Sequence, residues 1–112
     1  MEITIEEQSD IRIIRLTGRL DGTTMKQLEE HIVQLVDQGC NKFVFDYRNL
    51  EYISSAGLRV MLLSVKITRS SNGKVALFGM QDNVAEVFEM SGFFRIFEVF
   101  QTEEEAVAYL VS

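Results

Sequence analysis

Phe43-Val44-Phe45 is a run of strand-forming residues with no polar alternation. A strand with one wet face alternates apolar and polar residues. A strand without alternation is covered on both faces, as in a parallel sheet. Parallel strands require crossovers, and the flanking sequence supplies a helix on each side. Before the run, Met25, Leu28, Ile32, Leu35 and Val36 form one apolar stripe, with Lys26, Glu29, Glu30 and Gln34 off it. After it, Leu58, Met61, Leu62 and Val65 recur at helical spacing, predicting a helix from Ser55 to Arg69.

The remaining segments extend this alternation. Ile3 and Ile5 alternate with Thr4 and Glu6. Gln8-Ser9-Asp10 interrupts, and Ile11 to Leu16 resumes the strand pattern, which reads as an N-terminal hairpin. Gly18-Arg19-Leu20-Asp21-Gly22 ends its second strand. Thr24 and Gln27 have capping-box spacing, and Gly39 is the natural C-terminal cap of the first helix. Ser70-Ser71-Asn72-Gly73 breaks the second helix, and Val75 to Phe78 is a further buried strand. Asp82 or Asn83 caps a short helix carrying Val84, Val87 and Phe88, closed by Ser91-Gly92. Ile96 to Phe100 reads as a last strand. Thr102 and Glu105 form a second capping box before Ala106, Val107, Leu110 and Val111. The order β-β-α-β-α-β-α-β-α predicts an α/β domain: a mixed, mostly parallel sheet of about five strands with about four helices. Residues 1–112 form one such domain.

Composition excludes several function classes. The formal charge of −6 argues against nucleic acid and against an anionic membrane surface. No apolar run approaches the ~20 residues of a membrane span. The acidic, alternating N-terminus lacks the regions of a signal peptide, so the cytoplasm is the expected compartment. One cysteine, Cys40, permits no internal disulfide and reads as a small buried thiol. One histidine, His31, sits among Glu29 and Glu30 at a helix surface or boundary. One His and one Cys do not make a His/Cys metal site, and no metal or cofactor is expected.

Motifs for catalysis are equally thin. Gly18, Gly22 and Gly57 form neither a dinucleotide fingerprint nor a P-loop, and Gly73-Lys74 lacks the upstream glycine. A serine hydrolase needs a base, and His31 lies mid-helix, a crossover away from Ser55. Asp21, Asp46 and Glu51 are able to approach one another at strand ends, but such residues are more often solvated turn formers. Ser54 and Ser55 remain, where a connection turns into a helix. Helix starts leave backbone N–H groups unpaired and carry a partial positive charge. The hydroxyls there are either caps, worth about 1 kcal/mol, or phosphoryl acceptors whose phosphate the helix start tolerates.

Tyr52-Ile53-Ser54-Ser55-Ala56-Gly57-Leu58 resembles the signature of the STAS domain of anti-sigma factor antagonists, commonly an aromatic, Ile or Met, Asp, Ser, Ser or Thr, Gly, Leu. The resemblance spans the chain. Gly18-Arg19-Leu20-Asp21 resembles the family's Gly-x-Leu-Asp, and Asp46-Tyr47-Arg48-Asn49-Leu50 its lead-in. Met90-Ser91-Gly92-Phe93 and Thr102-Glu103-Glu104-Glu105-Ala106 are similar to its C-terminal features. Two positions depart from the pattern: Ser54 stands for the family's Asp, and Ala56 for its second hydroxyl.

The resemblance implies the STAS fold and a binding module rather than an enzyme. Such a protein binds an anti-sigma factor that is also a serine kinase, and so frees a sigma factor. Phosphorylation by that kinase releases it, and a PP2C-type phosphatase resets it. Carried onto this sequence, the acceptor is Ser55, ahead of Ser54. The partner surface comprises Asp21, Gly22, Thr23, Ser54, Ser55, Ala56, Gly57 and Arg59. The expected state is a monomer or weak dimer. The alternative is a STAS scaffold or nucleotide-sensing module that is never phosphorylated.

Overall fold

The computed structural model describes residues 1–111. Five strands form one sheet in the order β1 (Glu2–Gln8), β2 (Ile11–Leu20), β3 (Lys42–Ile53), β4 (Lys74–Phe78) and β5 (Glu98–Phe100). β1 pairs antiparallel with β2 through the expected hairpin; β2, β3, β4 and β5 run parallel. The crossovers are α1 (Met25–Asp37), α2 (Ser55–Ser70) and α3 (Asp82–Met90), and α4 (Glu103–Val111) follows β5. The sheet therefore has the mixed, mostly parallel character that Phe43-Val44-Phe45 demanded. All three of these residues are wholly buried.

The two faces are unequally dressed. Phe43, Phe45 and Tyr47 of β3 join Leu28, Ile32, Met61, Val65 and Phe88 in the larger core, under α1, α2 and α3. Val44 joins Ile11, Ile13, Ala76, Phe78, Ala106 and Leu110 in a smaller core under α4. Cys40 is buried at the edge of the larger core. The Tyr47 hydroxyl, also enclosed there, has no hydrogen-bond partner among the described residues, and burial pushes its phenol up in pKa.

β3 is far longer than the expected Phe43–Phe45 run, because it is bulged. Its pairing with β2 shifts register between Arg15 and Thr17 and again between Gly18 and Arg19. Each shift adds a β3 residue, so its inward positions step from Phe43, Phe45 and Tyr47 to Leu50 and then Ile53. Bulges of this kind bend a strand and re-aim its end. Here they carry β3 out to the start of α2, beside the end of β2.

Two helix starts and the start of the last strand differ from expectation in bonding or position. Thr24 occupies the N-cap of α1, but its hydroxyl accepts from the Asp21 N–H at 3.0 Å and donates to the Arg19 carbonyl at 2.8 Å. It ties the preceding turn instead of forming a box with Gln27, whose amide reaches the Met1 carbonyl. At α3 the N-cap is Gln81, not Asp82 or Asn83. Gln81 Nε2 donates to the Arg48 carbonyl and Asn83 Nδ2 to the Glu51 carbonyl, fastening α3 to the far end of β3. The last strand begins later than Ile96. Gly92, at φ 71°, turns the chain left-handed into a 3₁₀ turn (Phe93–Arg95), and Phe93 and, just beyond the turn, Phe97 meet the Phe88 ring edge to face. The Thr102–Glu105 box forms as expected, with reciprocal hydrogen bonds of 3.2 Å.

Candidate functional site

Arg19 and Leu20 of β2 pair with Tyr52 and Ile53 of β3. The turns that leave these strands therefore emerge side by side, at the carboxyl edge of the parallel sheet. In open α/β sheets that edge is where ligands bind. One turn is Asp21 to Thr24; the other is Ser54 leading into α2. The Ser54 N–H donates to the Leu20 carbonyl at 2.9 Å, so the turns are bonded to each other.

Asp21 organises its own turn. Its Oδ1 accepts from both the backbone N–H and the hydroxyl of Thr23, at 2.9 and 2.7 Å. These two hydrogen bonds, helped by Arg19, hold the carboxyl below its ordinary pKa. Arg19 Nε lies 3.6 Å from Asp21 Oδ2, and its guanidinium sits 4.2 Å above the Tyr52 ring. A cation, a carboxylate and an exposed aromatic ring thus bridge the two turns. Arg19 and Tyr52 fall outside the expected partner surface. The signal for them was positional: each is the next-to-last residue of its strand, and the two strands are neighbours.

The two adjacent serines are placed differently. Ser54 is the N-cap of α2, with extended backbone, and its hydroxyl accepts from the Gly57 N–H at 3.3 Å. Ser55 is the first helical residue and is exposed. Gly57 is enforced by packing. A Cβ there would lie 2.7 Å from the Leu20 carbonyl oxygen and 2.8 Å from Ile53 Cγ1 and Leu20 Cγ. Only glycine lets α2 start this close to β2 and β3. Ala56 is partly exposed beside it, and Arg59 is exposed one turn beyond Ser55. Asp21, Gly22, Thr23, Ser54, Ser55, Ala56 and Gly57 thus share one edge of the molecule.

The acidic strand-end residues do not converge. Asp46 is buried on the α4 face, where Arg48 and Arg15 bind its Oδ2 at 2.9 and 2.8 Å. Asp21 is engaged in its own turn, and Glu51 is exposed. Among the described residues, no group of three or more His, Cys, Asp or Glu side chains is arranged to hold a metal ion. No helix of the described residues is long and apolar enough to cross a membrane. His31 is half-buried on α1, a helix away from Ser55.

Beyond Ser55, α1 and α2 leave a groove of about 410 Å³ lined by Met25, Glu29, Arg59, Val60, Leu62, Leu63 and Lys66. Apart from Arg59, these residues were not expected to belong to a site. Met25 and Leu62 belong to the apolar stripes of α1 and α2, yet both, with Leu63, are partly exposed.

Comparison with known proteins agrees with this architecture. Residues 2–106 match the model of the STAS domain family. BtrV of Bordetella bronchiseptica, whose name places it among anti-sigma factor antagonists, is 40% identical over 108 residues, covering 96% of this chain and 93% of that protein. A crystal structure from Thermotoga maritima, described in the same terms, superposes with a TM-score of 0.93 at 22% identity, covering 98% and 95% of the two chains. The unphosphorylated form of the antagonist SpoIIAA superposes with a TM-score of 0.78 at 21% identity, covering 99% of each chain. At such identities the two structures establish the shared fold. The family match and the BtrV identity together establish more: this chain belongs to the STAS domain family.

Proposed function

We propose that the chain is an anti-sigma factor antagonist: it binds an anti-sigma factor through the Asp21–Thr23 turn and the start of α2, and phosphorylation of Ser55 switches that binding off. The observation that carries the reading is the division of labour between the two serines. Ser54 is committed to the cap, and Ser55 presents an exposed hydroxyl at the first position of a 16-residue helix. The name of the 40%-identical relative supports the antagonist role.

The chemistry asks little of this chain beyond presentation. A partner kinase takes the proton from the Ser55 hydroxyl as the Oγ–P bond forms. The bond from the γ-phosphorus to ADP breaks, and ADP leaves. A PP2C-type phosphatase reverses the state with water, releasing phosphate and restoring the hydroxyl. The helix start tolerates the modification, because its unpaired N–H groups and dipole favour an anion. The partner does not. A phosphate buried unpaired in an interface costs about 3–5 kcal/mol, roughly a hundred- to several-thousand-fold in affinity. The chain serves as substrate and binding module and needs no catalytic group of its own.

Phosphopeptide mapping of the protein from its own cells tests the reading, together with partner capture by variants. Phosphate on Ser55, its loss in Ser55→Ala, and weakened capture of the anti-sigma factor by Ser55→Asp are expected. Phosphate confined to Ser54 would move the switch by one residue. Wild-type capture by both Ser55→Asp and Ser55→Ala would sink it. Ser54, standing where the family pattern has Asp, favours a second reading. It removes a carboxylate beside the acceptor, as suits a scaffold that holds its partner unmodified. Partner capture with no phosphate in cells would select that reading.

A further inference from the structure

The helix that begins at Ser55 is unlike the rest of the molecule in charge. Its 16 residues, Ser-Ala-Gly-Leu-Arg-Val-Met-Leu-Leu-Ser-Val-Lys-Ile-Thr-Arg-Ser, include Arg59, Lys66 and Arg69 and no acid. The whole chain has 17 acidic against 11 basic residues. Arg59, Lys66 and Arg69 are all exposed. Arg59 and Lys66 are seven residues apart, two helical turns, and so lie along one face. Between them Leu62 and Leu63 are partly exposed, and together they form the α2 wall of the groove. The opposite wall is Met25 and Glu29 of α1. Val33, 39% exposed, lies one turn further along the same face of α1 as Glu29.

We propose that this groove docks an acidic amphipathic helix of the partner protein, with apolar side chains seated on Met25, Leu62 and Leu63 and carboxylates meeting Arg59 and Lys66. The inference rests on the partner-binding reading above and specifies the chemistry of what is bound. Two features select this occupant, and two alternatives fit worse. The depression runs between two helices and has an apolar floor, the shape that receives the apolar face of a third helix. Both charged residues of its α2 wall are basic, in a molecule whose net charge of −6 otherwise repels acidic partners. A second copy of this chain would bring a net charge of −6 against another −6. An anionic bilayer fits less well, because the apolar side chains line a recess and do not project.

The arrangement also joins the groove to the switch. Ser55 and Arg59 are four residues apart on α2, the spacing at which opposite charges on a helix meet. A phosphate on Ser55 would compete for the same guanidinium that receives the partner's carboxylate.

The test uses the unphosphorylated protein and three synthetic probes. The first is a fluorescein-labelled 18-residue helical peptide with leucines at helical period and glutamates flanking them. The second replaces every glutamate with lysine. The third scrambles the leucines at constant composition. Binding is read by fluorescence anisotropy and located by amide chemical-shift changes. The acidic amphipathic probe is expected to bind about tenfold more tightly than either control, to weaken with salt, and to shift amides at Met25, Glu29, Arg59, Leu62, Leu63 and Lys66. The R59E/K66E double variant alters only exposed side chains and is expected to reverse the preference between the acidic and basic probes. Equal binding of all three probes, no binding, shifts that map elsewhere, or an unchanged preference in R59E/K66E would each overturn the proposal. So would binding to phosphatidylglycerol vesicles with indifference to the peptides, which would assign the face to a membrane. None of these results depends on Ser55 being modified. The groove and the phosphoryl switch therefore fail separately.

Discussion

Ser54 and Ser55 carry the same side chain one position apart, and the backbone alone separates their roles. Ser54, at φ −100° and ψ 176°, is outside the helix and turns its oxygen back toward the Gly57 N–H. Ser55 is the first residue inside the helix and is exposed. The cap predicts a specific mutational pattern. Ser54→Ala leaves the Gly57 N–H without its partner and is expected to cost about 0.5–1 kcal/mol, the lower part of the range because the bond is long. Ser54→Asp restores the acceptor and adds a favourable charge at the helix start, so it is expected to match or slightly exceed wild type. Urea midpoints of the three proteins check the order. Equal midpoints for Ser54→Ala and wild type would show that the cap contributes nothing. These residues also mark what the sequence made legible. Two hydroxyls ahead of an apolar helical stripe announced a cap. The predicted helix start at Ser55, which leaves Ser54 outside, agrees with the structure, whereas the close approach of Gly57 to Leu20 was not legible.

At the scale of an element, β3 shows where reading by periodicity stops. Phe43 to Phe45 was legible as a doubly covered strand. The continuation to Ile53 was not, because Asp46, Arg48, Asn49 and Glu51 break the apolar run and the two bulges change the inward period from two to three. Two of these polar residues, Asp46 and Arg48, bind each other on the α4 face, and Asn49 and Glu51 are exposed. Asp46 is fixed between Arg48 and Arg15, and Arg15 also reaches Glu6 of β1 and Glu103 of α4, the latter at 2.8 Å. One guanidinium thus links β1, β3 and α4 to β2, a long-range arrangement that no local pattern encodes. Its pH dependence has a definite sign. Burial would raise the Asp46 pKa, but hydrogen bonds from the Arg48 side chain and backbone and from Arg15 outweigh it, and the carboxyl lies below its ordinary value. A lowered folded pKa contributes stability that is complete above the unfolded value and is lost as pH falls through the folded one. Wild type is therefore expected to lose stability below about pH 4. Asp46→Asn is expected to be less stable at neutral pH and to lose less on acidification. Urea unfolding at pH 7 and pH 3 measures the difference, and parallel losses in the two proteins would remove Asp46 from the acid response.

For the whole molecule, the unequal faces separate stability from switching. The Asp21 turn and the start of α2 lie at the sheet edge, and the α1–α2 groove lies on the face that carries the larger core. The opposite face depends on a single nine-residue helix, α4. Its Ala106 and Leu110 cover Ile11, Ile13, Val44, Ala76 and Phe78. Phe100, Val107 and Tyr109 border this cluster, and Leu110, 1% exposed, is buried within it, so truncating Leu110 opens a cavity against the sheet. Leu110→Ala is expected to cost about 2–4 kcal/mol, a large share of the stability of a domain this size. The loss should appear as a lower urea midpoint, with the acid limb set by Asp46 retained. Partner capture and modification at Ser55, measured where the variant remains folded, are expected to stay at wild-type levels, because the sheet stands between Leu110 and α2. A Leu110→Ala protein that is fully folded yet fails to capture its partner would show that the two faces are coupled through the sheet. In that case α4 would belong to the switch and not only to the scaffold.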